Sequence, residues 1–142
     1  MPITKQGFKR LHKLVDFMES LPRSANNHFS MRGYIEHASI EHRHELSNKP
    51  TVRDLHACGT TACALGWATT VPAFRRAGLT LDIDPVYGVD VEGSYEVFGI
   101  DYEPGAPIDE WDALFGPENE DKTPKAWAKR VRKLLKQWQA EA

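Results

Sequence analysis

The strongest constraint on this chain lies near its C-terminus. Thr123-Pro124 opens a run in which Trp127, Val131, Leu134, Leu135 and Trp138 recur at helical spacing. Thr is a good N-cap, and Pro suits the first helical position, where its missing N–H is no loss. Lys125, Lys129, Arg132, Lys133 and Lys136 fill the rest of the helix surface. A helix of this kind must bury two indoles and three aliphatic side chains, so the rest of the chain has to present a matching apolar surface. Thr4 to Leu21 is the first candidate. Phe8, Leu11, Leu14, Val15 and Met18 recur on one side, Thr4 caps, and Pro22 follows the end. The C-terminal stripe is expected to pack on this first helix and on a small-residue helix at 63–68.

The chain's 142 residues suit one domain, residues 1–142, with a core large enough to need no staples. No repeat or linker divides it. The middle is less regular. Ser24-Ala25-Asn26-Asn27 reads as a loop, and Ile35 to Leu46 as an exposed loop or short helix. Thr61 to Val71 reads as a buried helix with small residues at Ala62, Ala64, Gly66 and Ala68. Pro72 interrupts it, and Gly78 ends one further turn. Leu79 to Ile83 alternates apolar and polar, with Val86 to Val91 as its partner, so a small β-hairpin is expected near residues 79–91. Tyr95 to Phe98 reads as a helical turn stopped by Gly99. Pro107 to Phe115 reads as a short helix with Trp111, Leu114 and Phe115 on its apolar side. The predicted fold is mainly α, a compact single-domain helical fold with that hairpin.

Charge is distributed unevenly. Between Ala77 and Asp121 the chain has thirteen acids and no Lys or Arg, whereas Lys122 to Lys136 has seven bases and no acid. The two stretches read as an acidic and a basic surface of one domain, either of which suits a partner of opposite charge. The net charge of −2 argues against general nucleic-acid binding. No run of about 18 apolar residues marks a membrane span, and the N-terminus has no apolar signal core. A cytoplasmic protein is expected, in which two cysteines are more naturally thiols or ligands than a staple.

The densest chemistry is His56-Ala57-Cys58-Gly59-Thr60-Thr61-Ala62-Cys63-Ala64-Leu65-Gly66-Trp67. Four readings fit it. Cys58 and Cys63 are small core hydrophobes around a Gly turn. Alternatively, Gly59, Thr60 and Thr61 stand at a helix start, where free N–H groups and hydroxyls bind a phosphate or carboxylate. A third reading is zinc: His56, Cys58 and Cys63, with His42 or His44 as a fourth ligand, form an acceptable set. The fourth is a cysteine-dependent enzyme with Cys58 as nucleophile beside His56. All six histidines precede Cys58, so the papain-type arrangement with a downstream His is absent. No serine triad, dinucleotide-binding glycine pattern or His-Glu-x-x-His is present.

Asn27-His28-Phe29-Ser30-Met31, followed by Cys58-Gly59-Thr60-Thr61-Ala62-Cys63-Ala64-Leu65-Gly66, resembles a family of small proteins of tailed phages and bacterial genomes. That family shares a Phe-x-Met segment and a Cys-Gly-Thr-x-x-Cys-x-x-Gly core. Phe98-Gly99-Ile100, Leu114-Phe115 and Thr123-Pro124 resemble its later pieces. The family has no assigned activity. The resemblance implies phage or prophage origin and action by binding. The expected function is therefore a non-enzymatic binding protein that modulates a host protein or takes a small anionic, nucleotide-type ligand. A structural zinc domain and a thiol enzyme are the alternatives.

Overall fold

The computed structural model describes residues 3–31, 34–37, 50–56, 60–84, 88–100 and 110–141. His42, His44, Cys58 and Gly59 lie outside the described residues, as does the expected start of a helix at Pro107.

Helix α1 spans Lys5–Ser20, and Thr4 caps it by accepting from the Gly7 N–H at 3.0 Å. It buries Gly7, Phe8, Leu11, Leu14, Val15 and Met18, the face that helical spacing predicts. A 3-10 helix follows at Arg23–His28. Strand β1 (Ile35–His37) pairs antiparallel with β2 (Thr60–Ala62), placing Ile35 opposite Ala62. Between them lies the short helix α2 (Val52–Leu55), and after them come α3 (Ala64–Ala68) and α4 (Pro72–Arg76). Strands β3 (Thr80–Asp84) and β4 (Gly88–Glu92) form the expected hairpin, with buried Leu81 and Val91 opposite each other. Helices α5 (Ser94–Phe98), α6 (Glu110–Phe115) and α7 (Pro124–Glu141) complete the order. The fold is mainly α. Among the described residues, no helix is long and apolar enough to cross a membrane.

Two local expectations are corrected. The helix read from Thr61 begins at Ala64 instead, because Thr60–Ala62 is extended. Its backbone pairs with Ile35–His37 on one side, while the Ala62 carbonyl accepts from the Ser30 N–H at 3.0 Å and Ala62 forms a parallel bridge with Phe29. For the same reason Ile35–His37, read as loop or helix, is a strand. Three-residue strands are too short to leave a period in the sequence, and their partners lie far along the chain.

The core is built on aromatic contacts between elements. Phe74 meets Phe98 edge-on with centroids 5.2 Å apart, Phe98 meets Phe115 at 5.9 Å, and Phe115 stacks on Trp127 at 6.2 Å. This series joins α4, α5, α6 and α7. Trp127 is fully buried, and its indole N–H donates to the Leu114 carbonyl at 2.8 Å, so the ring gains burial without stranding a donor. Val131 and Leu135 continue the buried stripe, while Leu134 and Trp138 are half-buried. Arg130 holds the same junction from outside the stripe. Its Nε donates to both Asp121 oxygens at 3.1 and 2.8 Å, and its Nη1 donates to the Ala113 carbonyl.

Helices α1 and α7 pack antiparallel. His12 pairs with Gln139 at 3.0 Å, and Arg132 reaches Asp16 at 3.2 Å and Glu19 at 2.9 Å. Elsewhere, glycine permits close approach. A Cβ at Gly66 would sit 1.8 Å from the Tyr34 carbonyl oxygen, so α3 can lie against that backbone only without a side chain there. Gly7 plays the same part between α1 and the Phe98 carbonyl, which a Cβ would meet at 2.3 Å.

Candidate functional site

Residues 27–31 and 60–67 meet in one corner of the fold. Phe29 bridges Ala62, the Ser30 N–H donates to Ala62, and the Trp67 indole N–H donates to the His28 carbonyl at 3.1 Å. Trp67 is fully buried and forms the floor.

His56 is positioned over this floor by α2. Thr51 and Asp54 form a capping box, in which the Thr51 N–H donates to Asp54 at 2.8 Å and the Asp54 N–H donates to Thr51 at 3.2 Å. Leu55 is buried and anchors the turn. Arg75 braces the entry to it by donating to the Pro50 carbonyl at 3.0 Å. His56 then ends the helix. Its Nδ1 lies 2.9 Å from the Val52 carbonyl, which can only accept, so Nδ1 carries a proton. Ser24 Oγ stands 3.5 Å from Nε2, at the outer limit of a hydrogen bond. The His56 ring meets Trp67 edge-on at 5.5 Å and His28 at 5.4 Å, with the two imidazole planes inclined by 58°. Both histidines are half-buried.

The expected site residues fall in different places. His56 lies in this corner. Cys63 is 2% exposed and belongs to the core, and Cys58, the expected nucleophile, lies outside the described residues. Thr60 and Thr61 lie in β2, so their N–H groups belong to a strand and not to a helix start. Cys63 stands at the N-cap of α3 with no side-chain cap bond, and α3 has only five residues. Of the expected zinc set, His56 and Cys63 are the two members among the described residues; His42, His44 and Cys58 lie outside them. Among the described residues, no group of three or more His, Cys, Asp or Glu side chains is placed to hold a metal ion. His28, which the sequence reading did not single out as a site residue, lies against His56 in this corner.

A second feature stands on the outer side of the α1–α7 pair. Helix α7 carries six bases and one acid, and α1 carries four bases and two acids. Lys125, Lys129, Lys133 and Lys136 on α7 are exposed, as are Lys5, Lys9 and Lys13 on α1. Arg132 spends its charge locally. Hydrogen bonds to Asp16 and then Glu19 raise its already high pKa further. Among the described residues, the ion pairs involve Arg130 and Arg132, and these seven lysines have no carboxylate partner.

No family model matches the chain, and neither a curated protein nor a solved structure matches it.

Proposed function

We propose that this chain is a non-enzymatic binding protein that docks an acidic protein surface on the lysine face of α1 and α7. The observation that carries this reading is the row of exposed, unpaired lysines on α7, at positions 125, 129, 133 and 136. Unpaired surface charges of one sign raise the potential over a whole helix pair and steer an oppositely charged partner. Lys129, Lys133 and Lys136 follow one another within the reach of i, i+3 and i+4 neighbours, and their mutual repulsion is relieved when carboxylates approach. Asp16 and Glu19, the two acids of α1, are engaged by Arg132, and among the described residues the lysines keep no carboxylate partner. This reading takes the protein-partner form of the expected binding function, and not the small anionic ligand expected at Gly59, Thr60 and Thr61. The resemblance to phage proteins makes a host protein the natural source of that surface.

The test is retention of bacterial host proteins on immobilised protein. One defined acidic partner should bind the native chain and be released at about 0.5 M salt, where the screening length falls to a few ångströms. The variant Lys125→Glu, Lys129→Glu, Lys133→Glu, Lys136→Glu should keep its circular dichroism and lose that partner. Equal retention by the variant, or nucleic acid as the sole retained species, overturns the proposal.

A further inference from the structure

The surface carries an exposed aromatic ring beside unpaired acids and, elsewhere, an apolar groove edged by unpaired bases. We infer that copies of this chain associate head to tail, with Tyr95 of one copy seated in the groove along α1 of the next.

The anchor is well defined. Tyr95 is 62% exposed, the one large hydrophobic side chain so placed among the described residues. Its neighbours Ser94, Val97 and Phe98 are the buried members of α5, so the Tyr95 ring stands clear of its own core. Glu92 and Glu96 flank it and are exposed, and among the described residues neither has an ion-pair partner. The adjoining hairpin adds charge of the same sign, because Asp82 and Asp90 stand directly opposite each other across β3 and β4. Like charges so placed repel, and an approaching cation relieves them.

The groove has the inverse chemistry. Lys5, Gln6, Phe8, Lys9 and His12 of α1, with Gln139 of α7, line an open cavity of about 620 Å³. Lys5 and Lys9 are one helical turn apart, and lysine stems cover apolar surface while their ammonium groups stay in water. An aromatic ring gains apolar contact there, and the ammonium groups meet both its π face and the carboxylates beside it. His12 and Gln139, paired at 3.0 Å, offer polar atoms to a phenol hydroxyl.

A chain cannot fill its own groove. Helix α5 meets α1 at Gly7, against the Phe98 carbonyl, and at Arg10, which donates to the Glu96 and Val97 carbonyls at 3.2 and 3.0 Å. At about 100° per residue, Gly7 and Arg10 point away from Lys5, Lys9 and His12. Anchor and groove therefore lie on opposite sides of α1 and meet only between copies. A contact between two different patches is heterologous, and it propagates into open chains or closes as a ring.

Sedimentation velocity from about 10 µM to about 1 mM tests this, the range of weak association. The mean sedimentation coefficient should rise with concentration, and about 0.5 M salt should suppress the rise. Tyr95→Ala and, separately, Lys5→Glu with Lys9→Glu alter exposed side chains and should keep the native circular dichroism. Each should weaken association about 10-fold or more. Mixed in equal amounts, the two variants should form a 1:1 pair and nothing larger, because each keeps one intact surface. A monomer throughout the range overturns the inference, as does unweakened association in either variant or a mixture that stays monomeric. The inference does not rest on the acidic-partner reading. Tyr95→Ala leaves the lysine face intact and should still retain that partner, so the two readings fail separately.

Discussion

The α1–α7 pair and the His28–His56–Trp67 corner are built by different means. The helix pair is long, regular and joined mainly by side chains: Leu11, Leu14, Val15 and Met18 on one helix, and Trp127, Val131 and Leu135 on the other. The corner is made of pieces three to six residues long, and backbone groups tie it together. Burial stabilises the first in proportion to apolar area. The second depends on donors and acceptors that would be costly to leave unpaired. A long amphipathic pair therefore provides stability, while a patchwork of short elements can hold side chains at chosen separations.

Substitutions can break this contrast or sharpen it. Trp127→Ala should have the largest effect, a loss of about 3–5 kcal/mol in chemical denaturation, because it opens a cavity beside Phe115 and leaves the Leu114 carbonyl unpaired. A loss below about 1 kcal/mol would show that the helix pair does not rest on its apolar stripe. Gly66→Ala should come next, at about 1–3 kcal/mol, since the added methyl meets the Tyr34 carbonyl and not a side chain that can turn aside. If it proves neutral, the backbone of the corner is softer than its contacts imply. Trp67→Phe should cost a similar amount, about 1–3 kcal/mol. It keeps a six-membered ring, removes the N–H bond to the His28 carbonyl and leaves a small cavity in the fully buried site. Its signature should be local, as faster amide exchange around 28–31 and 60–67 with little change around 124–141.

The same contrast explains how much was legible in the sequence. Helices α1 and α7, with their Thr caps, and the 80–92 hairpin were read closely, because each announces itself by a period or a cap within a few residues. The corner was half legible. The small-residue pattern at Ala62, Ala64, Gly66 and Ala68 did signal close approach, and Gly66 against Tyr34 is such an approach. The same pattern, however, extended the helix back to Thr61, although that backbone is drawn into a ladder with Ile35–His37. Local propensity yielded there to a partner that no local window contains. The pairing of His28 with His56 was hidden likewise, since it arises from the Phe29–Ala62 bridge and the turn that ends α2.

The antiparallel contact between α1 and α7 also sets an order of events during synthesis. Asp16 and Arg132, which meet across it, are 116 residues apart in the chain. A nascent chain therefore carries the oily side of α1, Leu11, Leu14, Val15 and Met18, without its main cover until residues 124–141 leave the ribosome. Long-range closure of this kind slows folding and leaves an adhesive intermediate. Products that stop short of residue 124 would thus expose that side and aggregate.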